Sequence, residues 1–261
     1  MDTTSHAPPS LPAHGTHLRL ALLLGAAAAL ATLALFPYLT ALMPQKLAAL
    51  PLPLWATALT QAVQAGVLCW LLAWLGLTLG ARHGLDAPWL RAWVYRRPAP
   101  AHPGRWWQAA VLGVLAGLLV TVLERLFPGQ AVVSAETAAG WAWRGALASL
   151  YGGTAEEIET RLFLVSLLVW LLARLKSGQA RPWMYATAVV GAALLFGAGH
   201  LPAAVATGLA STPLQVVRIV LLNAVAGVIF GWLFWRRGLE HAMLAHFCAD
   251  LVLHVAAPLM S

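Results

Sequence analysis

Charged residues are scarce in this sequence of 261 residues: they make up 10% of the chain, whereas 61% of the residues are hydrophobic. Ordinary soluble domains carry about 25% charged and about 45–50% apolar residues, so a soluble globular fold is excluded. The apolar residues form long runs, and an α-helix needs about 20 such residues to cross roughly 30 Å of hydrocarbon. The scarcity of charge therefore predicts an all-α, polytopic transmembrane helical bundle.

Cysteine and lysine are rare as well. The two cysteines, Cys69 and Cys248, fall within apolar runs, which favours buried packing over a disulfide or a metal-binding pair. The basic residues, nearly all arginine, form short clusters between apolar runs, so the net charge of +7 indicates membrane topology and not nucleic-acid binding. The arginine excess favours a GC-rich bacterial source and hence the bacterial inner (cytoplasmic) membrane.

Seven apolar runs are long enough to be membrane spans. They cover approximately residues 20–43, 54–79, 106–127, 154–173, 183–202, 214–235 and 240–259. A further apolar segment, 141–151, precedes Gly152 and Gly153 and is either a half-helix or part of one long kinked span, so seven to eight membrane helices are expected. Residues 1–17 lack the basic start of a signal peptide and are expected to be a disordered tail, with 18–261 forming a single membrane-embedded domain.

Basic residues accumulate in three connections, and these predict the orientation of the spans. They are the loop 80–105, the loop 174–181 and the turn at Arg236 and Arg237. Because lysine and arginine mark the cytoplasmic side of short loops, all three are expected there, together with the N-terminus. Tryptophans among the arginines of the first loop predict a segment lying along the inner interface.

The few charges inside apolar runs indicate a functional site, because a charge at the bilayer centre costs about 2.5–3.5 kcal/mol. Glu157 and Arg161 are four residues apart, so they are expected to form an ion pair on one helix face. Glu156 points about 100° away around an α-helix, which leaves it available as a general base for a water molecule. A purely structural ion-pair network is the alternative.

Two further clusters contain histidines at the same spacing. Phe196 and His200 share a helix face, and small residues between them allow a neighbouring helix to approach closely. His246 and Asp250 are also four apart, which lets an imidazole and a carboxylate hydrogen-bond. His254 continues that face and is interpreted as a packed or gating residue.

The other expectations concern depth and exposure. His241 follows the basic turn and is interpreted as a solvated interfacial residue. Counting about 1.5 Å per residue from the basic loops puts His200 toward the outer side and His246 toward the inner side. Catalysis needs the two histidines in contact, so a tilted fifth span, a longer start of that span or a helix broken at the Gly-Gly pair is expected.

Three short motifs follow one another along the chain, each on a separate apolar run. They read Glu156-Glu157-x-x-x-Arg161, Phe196-x-x-x-His200 and His246-x-x-x-Asp250. Their order and intervals resemble the signature of the CAAX-protease and bacteriocin-processing family of glutamate-type intramembrane peptidases, which is related to type II CAAX prenyl endopeptidases. The similarity covers approximately residues 141–257.

The resemblance implies an intramembrane endopeptidase. Glu156 and His200 would activate a water molecule that attacks the scissile amide of a membrane-associated protein or peptide. Glu157 and Arg161 would brace this site, with Phe196 as a further supporting residue.

The resemblance also implies that His246 and the residue four positions later stabilise the oxyanion, an interaction worth roughly 2.7–4 kcal/mol per donor in hydrolases. Many relatives carry asparagine at the position of Asp250, and an amide donates hydrogen bonds whereas an ionised carboxylate only accepts them. Asp250 either donates when protonated or orients His246, and we favour the second role.

No cofactor is expected, although Glu156, His200, His246 and Asp250 are also an acceptable ligand set for a divalent metal such as zinc. The expected partners are a membrane-associated substrate and the lipid bilayer, with no nucleic acid. The competing function is non-enzymatic, either a bacteriocin immunity factor or a proton-coupled transporter, because buried acids and histidines also suit proton relays. No paired interrupted spans in two matching halves are present, which disfavours transport.

Overall fold

A computed structural model describes residues 17–101, 104–127 and 136–260. These residues are helical and contain no strand, which confirms the all-α fold class. The α-helices are α1 (Leu18–Leu42), α2 (Pro44–Ala48), α3 (Leu54–Gly80), α4 (Pro88–Val94), α5 (Trp106–Glu124), α6 (Ala138–Tyr151), α7 (Ser166–Arg174), α8 (Pro182–Gly199), α9 (Leu201–Ala206), α10 (Pro213–Arg237), α11 (Leu239–Leu251) and α12 (Ala257–Met260). The expected tail 1–17 lies, except for its last residue, outside the described residues.

Six helical stretches in the described part of the chain are long and apolar enough to cross a membrane. They are Leu18–Leu42, Leu54–His83, Trp106–Glu124, Pro182–Ala206, Pro213–Arg237 and Leu239–Met260. A further continuous helical stretch, residues 138–174, carries the Glu-Glu motif and packs against α1, α3, α8 and α11. The resulting count agrees with the expected seven to eight membrane helices.

The helical stretch 138–174 leaves α-helical geometry where its charged residues lie. From α6 the chain runs through two π-helical segments, Gly152–Glu156 and Ile158–Val165, into α7. The Gly-Gly pair therefore does not break the helix, and 141–151 belongs to one long span and is not a half-helix. π turns are rare and are frequently found at functional sites.

Glycines let two helices approach this part of the bundle closely. A Cβ atom on Gly76 of α3 would overlap the backbone of Leu162, and one on Gly113 of α5 would overlap the backbone of Ala245. Membrane helices associate largely through such close packing, because lipid tails are as apolar as the side chains and apolar burial does not favour a neighbouring helix over lipid. The π-helical segments and α11 are thus held in contact with their neighbours at backbone distance.

The three basic connections meet at one end of the bundle, which we call the basic end. At the start of α8, the Tyr185 hydroxyl donates to the carbonyl of His83, which follows α3, at 2.8 Å. At the start of α11, the Leu239 N–H donates to the carbonyl of Asp86 at 3.0 Å. The loop 80–105, the connection before α8 and the turn before α11 therefore lie on the same side, as their arginines predict.

Residues 81–97, which include α4, lie across the basic end and are called the shelf. The Glu240 carboxylate on α11 accepts a hydrogen bond from the N–H of Leu90 at 2.7 Å and so caps the first turn of α4. The guanidinium of Arg91 binds Asp86 through two nitrogens, at 2.5 and 2.7 Å. The shelf is therefore a folded element and not a mobile loop.

The interpretation of His241 as a solvated residue is wrong. Its side chain is buried, with 1% exposure, and its ring stacks on that of Trp106 with centroids 4.3 Å apart. Its Nε2 is hydrogen-bonded to the carbonyl of Gly104. The start of α5 covers His241, which spacing along the chain does not reveal.

Candidate active site

A buried ion pair forms the base of the site. Glu157 and Arg161 are 0% and 1% exposed, and Arg161 Nη1 lies 3.0 Å from Glu157 Oε1. Arg161 Nη2 also donates to the carbonyl of Gly227 on α10 at 3.3 Å. The ion pair that their spacing predicts is present, and it neutralises a carboxylate and a guanidinium that would each be costly to bury alone.

Two aromatic rings surround the arginine and the histidines. The Cζ atom of Arg161 lies 4.6 Å from the ring centroid of Phe196 and 5.4 Å from that of Phe230. Phe230 stacks on His246 with centroids 4.6 Å apart, whereas Phe196 meets His246 and His200 edge-on, at 5.6 and 4.8 Å. The structure thus brings Phe196 together with the other motif residues. It also adds Phe230, which belongs to no motif.

His246 is oriented by a glutamate of the long helix. Its Nδ1 lies 2.7 Å from Glu157 Oε1, and because a carboxylate only accepts, Nδ1 is the donor. Its Nε2 lies 3.6 Å from Asp250 Oδ1, beyond hydrogen-bonding distance. The sequence favours Asp250 for orienting His246, but the structure gives that role to Glu157, because the π-helical turn directs Glu157 toward α11.

Glu156 lies between the two predicted histidines. Its Oε1 is 3.8 Å from His200 Nε2, and its Oε2 is 3.6 Å from His246 Nε2. These distances are too long for direct hydrogen bonds and are suited to a bridging water. The Glu156 side chain is 22% exposed, so its carboxylate is accessible whereas that of Glu157 is enclosed.

His200 stands at the junction of α8 and α9 and is the most open member of the site, with 36% of its side chain exposed. Its Nδ1 lies 2.9 Å from the carbonyl of Phe196. A carbonyl accepts only, so Nδ1 carries the proton and, in the neutral ring, Nε2 is an acceptor that faces Glu156. The sequence places His200 and His246 at different depths, but in the structure both rings lie next to Glu156. One oxygen of its carboxylate faces each imidazole.

Gly152 makes room for the acidic side of the site. A Cβ atom at this position would overlap the Asp250 carboxylate and would lie 3.1 Å from His246 Nε2. Asp250 itself is 13% exposed and faces the same space as His246 Nε2. Sequence reasoning treats Gly152 only as a helix breaker, and its position four residues before Glu156 is the signal that points to the site.

No group of three histidine, cysteine or acidic side chains in the described ranges is arranged to hold a metal ion. Of the four residues that would bind zinc, Glu156 faces His200 and His246, whereas Asp250 faces His246. No step is therefore assigned to a metal, and the expectation of no metal cofactor stays a prediction that chelation tests.

Residues 138–252 match a known protein family, described as type II CAAX prenyl endopeptidase Rce1-like. This part of the chain is similar to the Rce1-like family. The matched segment begins with α6 and contains all three motifs, so the resemblance noted above is confirmed. Together with the six apolar helices, it supports an integral, multi-pass membrane protein with protease activity. No curated protein and no solved structure matches the chain.

The matched segment contains a third glutamate, Glu159, whose hydrogen-bond partner lies outside the three motifs. Glu159 Oε1 accepts a weak hydrogen bond from the Cys69 thiol on α3 at 3.7 Å. Both cysteines are free, with Cys69 buried and Cys248 half-buried, as their positions in apolar runs predict. Among the described residues, no hydrogen bond or ion pair joins Glu159 to a motif side chain, and this makes it a useful control position.

Proposed function

We propose that this protein is an intramembrane endopeptidase that hydrolyses a peptide bond of a membrane-associated protein or peptide. The supporting observation is the carboxylate of Glu156 between two imidazoles, next to a Glu157–Arg161 pair that is already neutralised. Two adjacent glutamates thus differ in environment: Glu157 is enclosed and paired, and Glu156 is accessible and lies between two histidine rings. This difference is what a general base for water requires.

The nucleophile in this proposal is a water molecule between Glu156 and His200. The 3.8 Å gap between Glu156 Oε1 and His200 Nε2 lets one water donate a hydrogen bond to each acceptor, which turns its lone pair toward a substrate carbonyl. As the water attacks the carbonyl carbon, its proton passes to Glu156. The same carboxyl then returns that proton to the departing amine, so that base and acid are one group.

The oxyanion is assigned to His246. With Nδ1 held by Glu157, the ring cannot rotate, and its Nε2 points to the space between Glu156 and Asp250. As an imidazolium it donates Nε2–H to the oxygen that becomes negative. Asp250 lies 3.6 Å from that nitrogen, which is close enough to stabilise the imidazolium charge without taking its hydrogen bond.

The substitution Glu156→Gln tests the proposal, because glutamine keeps the shape of the side chain but cannot accept a proton. General-base catalysis contributes about 10²–10⁴ in rate, and we expect a loss of that size in the cleavage of a membrane peptide by the purified, detergent-solubilised protein. The matched control is Glu159→Gln, the same change three positions along the same helix, which should retain activity.

Cleavage by Glu156→Gln at the wild-type rate would refute the proposal. The non-enzymatic alternative, an immunity factor or a proton-coupled transporter, predicts that neither the wild type nor the variant releases a product. A transporter further predicts a pH-coupled flux into proteoliposomes that Glu156→Gln abolishes. Mass spectrometry of the peptide products and a flux measurement on the same preparation separate these cases.

A further inference from the structure

The basic end carries most of the positive charge of the protein. Eleven of the sixteen basic residues lie there: Arg19, Arg82, Arg91, Arg96, Arg97, Arg105, Arg174, Lys176, Arg181, Arg236 and Arg237. Of the acidic residues that the structure describes, only Asp86 and Glu240 lie at this end, which leaves an excess of nine positive charges. An excess of lysine and arginine in short loops is enough to set the membrane topology, and topology does not require so many basic residues on folded, exposed positions.

Both acidic groups at the basic end already have partners. Asp86 binds Arg91 through both carboxylate oxygens, and Glu240 caps the shelf helix α4 through the Leu90 N–H. No ion pair joins Arg96 or Arg97 to an acid in the described parts of the chain. These two arginines are therefore available to an anion from outside the described protein.

The shelf presents these arginines beside exposed aromatic rings. Arg96 and Arg97 directly follow α4 and are both exposed, and the adjacent side chain of Trp93 is 70% exposed. Arg97 lies over the ring of Tyr95, with its Cζ 5.8 Å from the centroid, and the Tyr95 hydroxyl accepts a hydrogen bond from the Leu20 N–H at 3.3 Å. Tryptophan with arginine is the combination typical of the headgroup level of a bilayer.

The shelf is also fixed to the body of the protein. Glu240 and the Leu239 N–H join it to the start of α11, and α4 packs against α1 as well as α11. A rigid support reduces the conformational entropy that the arginines lose on binding, so a preorganised surface binds an anion more tightly than a mobile basic tail does. This separates the shelf from a basic loop that serves topology alone.

We propose that Arg96 and Arg97 on the shelf bind the phosphate of anionic phospholipid headgroups, so that the protein selects anionic over zwitterionic lipid. A guanidinium matches two oxygens of a phosphate at once, and its charge adds attraction at a negatively charged leaflet. A zwitterionic headgroup carries the same phosphate but adds an ammonium that repels the guanidinium, so the selection for anionic lipid comes from the net charge of the headgroup. A basic residue beside a membrane span gains about fivefold in affinity from such a leaflet, which predicts about 25-fold for the two arginines together.

Native mass spectrometry of the full-length protein, released from nanodiscs of mixed phosphatidylglycerol and phosphatidylcholine, tests this by comparing how much of each lipid stays bound. The wild type should retain phosphatidylglycerol in preference to phosphatidylcholine, and the double variant Arg96→Gln/Arg97→Gln should lose about 25-fold in that preference. The matched control is Lys46→Gln/Arg125→Gln, which removes two exposed basic side chains at the opposite end. The control should bind as the wild type does.

Equal loss in both double variants, or equal wild-type affinity for the two lipids, would overturn the proposal. Competition by soluble glycerol phosphate at the same concentration as the lipid would also overturn it, since the site would then be one for a free anion. If the glutamine variant fails to fold, Arg96→Lys/Arg97→Lys keeps the charge but cannot match two phosphate oxygens at once, so it should bind phosphatidylglycerol less tightly than the wild type does, and wild-type affinity would overturn the proposal. Raising the ionic strength to about 1 M, where the Debye length is about 3 Å, should weaken wild-type binding to phosphatidylglycerol selectively.

Discussion

Replacing Arg161 by methionine removes the guanidinium of the buried pair and leaves the enclosed carboxylate of Glu157 with its hydrogen bond from His246. The pair is 3.0 Å long and both side chains are at most 2% exposed, so water cannot take the place of the guanidinium. Breaking a buried pair by removing one partner costs about 3–5 kcal/mol. The loss falls at the upper part of this range if the hydrogen bond to Gly227 and the contacts with the two phenylalanine rings are lost as well.

A double-mutant cycle separates the charge effect from the lost packing. The variants are Arg161→Met, Glu157→Gln and the two combined, and the free energy of unfolding is measured by steric trapping in bicelles. Because the combined variant buries no unpaired charge, it should be more stable than Arg161→Met alone, by about 1–3 kcal/mol. A loss below about 1 kcal/mol for Arg161→Met, or no recovery in the combined variant, would refute the reasoning that the pair neutralises a buried charge.

Three further predictions concern the site itself. Gly152→Ala should lower kcat/KM at least tenfold in a folded protein, because the new methyl group overlaps the Asp250 carboxylate. The control Gly191→Ala, whose methyl group meets only a leucine carbon at 3.7 Å, should behave as the wild type does. Equal activities of the two variants would contradict this prediction. Phe230→Leu removes the ring stacked on His246, and a lost aromatic contact of about 0.5–1.5 kcal/mol predicts a two- to tenfold lower kcat/KM, which steady-state kinetics checks. Treatment with a strong zinc chelator should leave peptide cleavage unchanged, whereas loss of activity that added zinc restores would establish a metal-dependent mechanism.

Local spacing predicts those parts of the site that lie on a single helix. Glu157 and Arg161 pair because residues four apart share a face in either helix geometry, and His246 and Asp250 are neighbours for the same reason. The number and class of the spans follow from apolar runs alone. These features depend on interactions along one helix, which the sequence displays directly.

Features that depend on contacts between helices are not visible in the sequence. An α-helix separates Glu156 from Glu157 by about 100°, yet in the π-helical turns both carboxylates lie near His246. Phe230 stacks on His246 from α10, where one aromatic residue in an apolar span looks like any other. His241 is covered by the start of α5, far away in sequence. In each case the packing partner decides the role of the residue.

In this mechanism Glu156 and His200 hold the same water molecule. A second double-mutant cycle tests this shared water most directly. The values of kcat/KM are measured for Glu156→Gln, His200→Ala and the combination on one membrane peptide. Groups that act as a unit give strongly non-additive losses, so the combined variant should be no slower than the slower single variant. Losses that multiply in the combined variant would show that the two residues act independently and would contradict the shared water.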